Sequence, residues 1–254
     1  MDLEWGMVIL VLLGGLGSGF MNSIVGGGGM ISLPIFLMLG LPAATALGSN
    51  KISSVLGAIA SSIAFIRSGH VNVHLMKRYV PMSFLGSVLG VFVTQLLSSE
   101  FLRTLVVVLL FAVCLLTMFK RDWGSYSTYR PLTGVLFFGG AMAAFALGFY
   151  DGFFGPGTGT FLIFCFLVIG CSFVESAANA QILNCTSNIA AALTFIYFGQ
   201  VSWSYALLMG AAQIVGSLIG TRMAILKGAA WVRPIFIVVS LILIGRQLWT
   251  LFAS

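Results

Sequence analysis

MNSIVGGGGMISLP, residues 21–34, sits between two strongly apolar stretches, and its reading decides the fold. Four consecutive glycines are costly inside a helix, each by about 1 kcal/mol relative to alanine. A chain that interrupts good helical sequence in this way needs a physical reason to do so.

The composition around that stretch narrows the reasons. Of 254 residues, 59% are hydrophobic and only 7% are charged, with a mean hydropathy of +1.10. Soluble domains carry about 25% charged residues. A water-facing surface cannot be built from so few, and the chain reads as an all-α polytopic membrane protein. Its start, MDLEWG, holds two acids and no base, the wrong charge for a cleavable secretory signal, so the first segment is read as retained. The net charge of +6 is spread in short clusters between apolar runs. Such clusters are orientation signals at membrane ends, and no continuous basic face exists for nucleic acid. Cys114, Cys165, Cys171 and Cys185 lie in apolar runs without paired spacing and read as buried small hydrophobes. His70 and His74 have no acidic or thiol companion, so no metal site is read there, and no cofactor is implied.

The apolar runs cover about residues 7–25, 30–41, 43–66, 79–97, 102–119, 131–150, 159–171, 172–198, 204–221 and 235–252. A helical crossing needs about 20 residues. Runs 30–41 and 159–171 fall short, and each follows a glycine-rich break. The two breaks are related. GFMNSIVGGGG (19–29) aligns with GFYDGFFGPGT (148–158), FIRSGHV (65–71) with FIYFGQV (195–201), and GSVLG (86–90) with GSLIG (216–220). The offset is 129 residues early and 130 later, so a single insertion accounts for the whole pattern. Residues 1–119 form a first membrane repeat, 120–130 a cytoplasmic linker, and 131–254 a second repeat.

Equivalent loops carry opposite charge bias. Residues 67–78 hold Arg67, Lys77 and Arg78, while 199–204 hold no base; residues 98–103 hold only Arg103, while 222–233 hold Arg222, Lys227 and Arg233. Basic loops stay in the cytoplasm, so equivalent loops face opposite sides and the repeats are inverted. The linker KRDWGSYSTYR (120–130) is basic too. An even number of crossings must then separate it from 222–233, and both termini lie outside. Either 159–171 crosses by itself or 131–171 folds back as a re-entrant hairpin, which the short second arm favours. Each repeat is thus a glycine-rich broken or re-entrant hairpin followed by three transmembrane helices.

The glycines now have a reason. Irregular backbone inside a bilayer must be covered by protein or line a wet cavity. Glycine permits the reversal and leaves amides uncovered, and bare amides beside a helix N-terminus suit an anion. Gly26, Gly27, Gly28 and Gly29, with Gly155, Gly157 and Thr158 of the second break, are therefore candidate binding positions. Gly14 and Gly86 are read as packing glycines. After each break comes a long run with polar residues in its first half, LGSNKISS (47–54) and ANAQILNCTSN (178–188). Lys51 lies eight residues into its run, about 12 Å along a helix, deeper than a lysine readily snorkels. A charge at that depth marks a function. Ser49, Asn50, Asn179, Gln181 and Asn184 add neutral polar groups, with Asn50 and Asn179 taken as equivalents at the early offset. Asn22 and Asp151 form another matched pair just before the glycines. Asp151 would repel an anion; it can satisfy the hairpin backbone, pair with a base or carry a proton. Glu175 reads as a helix-start acid. No catalytic constellation appears, and GGGG lacks the GK[ST] ending and preceding strand of a phosphate loop.

At the duplicated glycine hairpin, the ALGSNK segment and the FGQVSW step, the chain resembles the TauE/SafE sulfite exporter family of anion permeases (TSUP-type). The resemblance covers nearly the whole chain. It implies a multi-pass protein of the bacterial inner membrane that exports a small inorganic or organosulfur anion, such as sulfite or sulfoacetate. The lipid bilayer and the anion are its partners, with a second copy of the chain, as a homodimer, a further candidate. An anion channel, an uptake permease for a related anion and a non-transporting membrane scaffold remain the alternatives.

Overall fold

The computed structural model describes residues 5–98, 100–101, 129 and 134–227. The expected runs 102–119 and 235–252, the linker apart from Tyr129, Arg103, Arg233 and Cys114 lie outside the described residues. Within them the chain forms eight helices and no strand: α1 (Trp5–Val25), α2 (Gly29–Met38), α3 (Ala43–Arg67), α4 (Val73–Gln95), α5 (Gly134–Phe153), α6 (Thr158–Val168), α7 (Phe173–Tyr197) and α8 (Trp203–Lys227). Helices α1, α3 and α8 are long and apolar enough to cross a bilayer, whereas α2 and α6 are short apolar helices.

The helices wear their apolar residues outside. On α3 the buried face carries Ser49, Asn50, Lys51, Ser53, Ser61 and Ser62, while Ile59, Ile63 and Ile66 are exposed. On α8 Gln213, Ser217 and Thr221 are buried while Val215, Leu218 and Ile219 are exposed. In water this arrangement would be unstable; in lipid it places each polar group where another helix can satisfy it.

Both breaks are hairpins. Ile31 and Ile35 of α2 run back along Gly17 and Gly14 of α1, and Phe161 of α6 meets the ring of Tyr150 on α5 at 5.9 Å. Tyr129, just before α5, and Cys171, just after α6, line one cavity, so the second hairpin begins and ends at the same end of the molecule. Of the two arrangements open to the sequence, the described part of the second hairpin, 134–171, therefore folds back. At the opposite end Leu39 and Leu41 cluster with Leu97, Phe198 and Val201.

Contacts recur at matched positions. Gly86 and Gly90 of α4 lie against the carbonyls of Phe145 and Phe149 on α5, and Gly216 and Gly220 of α8 lie against those of Leu16 and Phe20 on α1. The packing role expected of Gly14 and Gly86 is what the structure shows. Phe65 and Phe195, also matched, are both fully buried. The backbone amide of Ser202 donates to Ser49 Oγ, and that of Asn72 to Asn179 Oδ1, each at 2.8 Å. These two bonds correct the register. Asn179 corresponds to Ser49, not to Asn50, because the inserted residue falls within the short helices: α2 has 10 residues and α6 has 11. In this register Lys51 corresponds to Gln181.

Ser49 and Arg67 sit near opposite ends of α3, so the loop at Ser202 and the loop following Arg67 lie at opposite ends of a helix about 37 Å long. Helix α7 opens on a capping box: Ser172 Oγ accepts from the Glu175 amide at 3.3 Å, and Glu175 Oε2 accepts from the Ser172 amide at 2.8 Å. Glu175 is the helix-start acid that its position suggested.

Candidate functional site

The two glycine breaks touch. Gly26, with φ of +72°, packs on the backbone of Gly159 so closely that neither could carry a Cβ, and Gly29 lies against Pro156. Thr160 Oγ1 donates to Val25 O at 2.7 Å and ties the second break to the first. Because Gly29 begins α2 and Thr158 begins α6, two helix N-termini meet here.

Hydroxyls cover the carbonyls of the breaks. Gly28 O accepts from Ser18 Oγ at 2.8 Å and Ser32 Oγ at 3.2 Å, Gly155 O from Thr158 Oγ1 at 2.7 Å, and Pro156 O from Tyr150 Oη at 2.8 Å. The amides are treated differently. Among the described residues, no hydrogen bond uses the amides of Gly27, Gly28, Gly29, Gly157 or Gly159 as donors. Free amides are normal at helix starts, but Gly27, Gly28, Gly157 and Gly159 are buried. A buried N-terminus with unspent donors and a positive dipole end is a place for negative charge.

Lys51 comes to this junction from α3. Its Nζ lies 2.9 Å from Asp151 Oδ1, and both side chains are essentially sealed, at 1% and 2% exposure. Gly155, with φ of +99°, is the break residue beside the pair: a Cβ there would fall 2.5 Å from Lys51 Nζ. Only glycine leaves the ammonium room and also adopts that backbone angle. Of the three roles open to Asp151, pairing with a base is realised, so Lys51 is not a bare cation in this conformation. Among the described residues Asp151 Oδ2 has no hydrogen-bond partner, and neither has Gln181 Nε2 on α7. Asn184 Nδ2 donates to Asn22 Oδ1 at 3.2 Å, and Asn188 Nδ2 donates to Asn184 Oδ1 at 2.7 Å. The matched residues Asp151 and Asn22 thus each reach the polar helix of the other half, one through charge and the other through amides.

Other candidates fall elsewhere. Asn50 Oδ1 accepts from Ser32 Oγ, which links α3 to α2 just past the first break. Ser49 and Asn179 are engaged by the loops at Ser202 and Asn72, and the structure does not bring their side chains to the breaks. Asn179 instead lines a cavity of about 190 Å³ with Gly69–Asn72, Tyr129, Cys171 and Glu175. One residue escaped the sequence reading: Gln213 of α8 is buried, and its Nε2 donates to Ser18 Oγ at 3.2 Å and Ser53 Oγ at 3.3 Å. Its signal was a lone amide one turn before Gly216 and Ser217 in an otherwise apolar run.

Polar, partly unpaired groups gathered between apolar-faced helices and two broken hairpins define a membrane transporter. The family model described as "Sulfite exporter TauE/SafE" matches residues 11–246. The chain belongs to that family. It is similar to a probable membrane transporter protein, ORF9, of a Sinorhizobium species, 34% identical over 97% of this chain and 94% of the relative. A probable membrane transporter protein of Haemophilus influenzae is 33% identical over 98% and 97% of the two chains, and the probable membrane transporter protein YfcA of Escherichia coli is 33% identical over 91% and 86%. No solved structure gives a significant match.

Proposed function

We propose that the protein exports a small sulfur-containing anion, sulfite or an organosulfonate such as sulfoacetate, across the bacterial inner membrane by alternating access. The observation that carries this reading is the junction of two buried helix N-termini, with uncommitted amides, beside the Lys51 ammonium. Such donors recognise a compact oxyanion without sequestering it, because dipoles and one shared cation hold less tightly than a cage of free charges. Gly26–Gly29, Gly155, Gly157 and Thr158 shape the pocket. Lys51 supplies the charge when the anion takes the place of Asp151, and Asn22, Asn184 and Gln181 complete the polar wall.

Residues 1–119 and 131–254 act as two inverted repeats joined by 120–130, with both chain termini outside. The matched contacts and the opposite placement of the loops at Asn72 and Ser202 support this arrangement. The two ends of the molecule differ, which supports alternating access. At the Asn72 end lies the 190 Å³ cavity. At the Ser202 end Gln95 and Gln200 close on each other through two reciprocal amide bonds of 2.9 and 2.7 Å, and Gln200 corresponds to His70 on the cavity side. With the basic loop 67–78 in the cytoplasm, the cavity faces inward and the amide pair is the outer closure. An inside-negative potential then favours outward movement of whatever net negative charge the cycle carries, by about 2.3 kcal/mol per charge per 100 mV.

Counterflow in proteoliposomes tests the reading. A carrier accelerates entry of labelled sulfite when unlabelled sulfite is trapped inside. Flux indifferent to trapped anion would mean a channel, and no flux would mean a scaffold.

A further inference from the structure

We propose that Asp151 is a proton site and that the protein carries its anion together with one proton; this rests on the reading of Lys51 as the anion's partner. The ion pair is the reason. To receive an anion, Lys51 must leave Asp151, and the carboxylate is then stranded in a sealed place. An uncompensated buried charge is strongly unfavourable, and a carboxylate in that position neutralises by taking up a proton.

Nothing nearby can stand in for Lys51. Among the described residues Lys51 and Asp151 are the only charged side chains in the buried set. On α5 Tyr150 spends its hydroxyl on Pro156 O. Helix α4 meets α5 at Gly152 with Ser87, which donates to Ser187 O on α7. The buried titratable group of α7 is Cys185, which interacts with Ser62 farther along α3, and α8 brings the neutral Gln213. Among the described residues no donor reaches Asp151 Oδ2, so none holds that oxygen in the ionised form. The exchange balances: a Lys51–Asp151 pair, one monovalent anion and one proton give a Lys51–anion pair and a neutral Asp151 carboxyl. No bond other than the O–H forms, and the charge of the site is unchanged.

The matched position sharpens the inference. Asn22 stands where Asp151 stands in the other half, and Gln181 where Lys51 stands. The amides of Asn22 and Gln181 bind no proton, so among the described residues the matched position adds no second proton site, and one anion moves with one proton.

The test uses the whole purified chain with methanesulfonate and thiosulfate, neither of which titrates near neutral pH. Anion binding is followed by calorimetry in buffers of different ionisation enthalpy. About one proton taken up per methanesulfonate is expected, with affinity rising about tenfold per unit fall in pH while Asp151 is ionised in the free protein. Lys51→Arg/Asp151→Asn, whose guanidinium stays charged without a partner, is expected to bind with no proton uptake and no pH slope, whereas Lys51→Arg alone keeps the uptake. Should only sulfite bind, the proton count is the difference between Lys51→Arg and Lys51→Arg/Asp151→Asn, in which the anion's own protons cancel. Binding with zero proton uptake and a flat pH profile overturns the proton site and leaves the anion site standing. No binding of any of the three anions at any pH overturns the anion reading, and the proton site with it.

Discussion

Gly26 and Gly159, one from each glycine break, meet backbone to backbone with no room for a side chain on either. The contact joins two short helices at their N-termini, and the anion reading stands on that junction. A methyl group at Gly26 meets both a clash and a left-handed backbone. Gly26→Ala should cost about 1–3 kcal/mol for overpacking and about 1–2 kcal/mol for the backbone angle. Gly40 has φ of +77° but open space around it, so Gly40→Ala should cost only the second part. Thermal unfolding in detergent checks the order, and equal midpoints for the two variants would disprove the packed junction.

The buried ion pair predicts a characteristic double-mutant pattern. Lys51→Met or Asp151→Asn alone strands or unpairs one side, and the stranded charge should cost about 3–5 kcal/mol. Lys51→Met/Asp151→Asn together should recover most of that stability while sulfite flux stays lost. Additive losses of stability would mean that the two side chains do not meet.

Two matched bonds should prove equivalent in solution. Ser49→Ala removes the acceptor for the Ser202 amide, and Asn179→Ala removes that for the Asn72 amide. Each should destabilise by about 1–3 kcal/mol through an unsatisfied buried donor. A large effect at one site and none at the other would contradict the corrected register.

Cys171, in the loop between α6 and α7, is buried, and burial first and the Glu175 carboxylate second push its thiol up to about 12. The thiolate is the reactive form, so at neutral pH the group is protonated and inert. Site-resolved mass spectrometry after maleimide treatment should find Cys171 unmodified near neutral pH and reactive only as the medium becomes strongly alkaline. Rapid modification near neutral pH would show that the loop is open there.

Membrane orientation offers a separate check. Val73 and Trp203 occupy matched, exposed positions at the starts of α4 and α8. With inverted repeats, an impermeant thiol reagent should label Trp203→Cys in right-side-out vesicles and Val73→Cys only in inverted ones. Labelling of both from one side would remove the inverted arrangement.

Much of this was legible in the residues, and the misses have physical causes. The hairpins could be read because glycine and proline are conspicuous in apolar helices, and Lys51 because a charge at that depth has no inexpensive explanation. The partner of Lys51 could not be chosen, since an acid beside a glycine turn can cap, pair or carry a proton with the same local sequence. The register slipped at Asn50 because the inserted residue lies in featureless apolar sequence, where α2 and α6 share no marker. Gln213 was hidden by its neighbours: averaged over a long apolar run, one amide barely registers, yet it ties α8 to both α1 and α3.

Titration of sulfite into purified wild type and into the charge-neutral Lys51→Met/Asp151→Asn variant addresses the anion site most directly. Wild type should bind, and the variant, folded by its thermal midpoint, should bind about a hundredfold more weakly, the scale of losing one desolvated charge contact. Equal affinity in the two proteins would contradict an anion site built on Lys51.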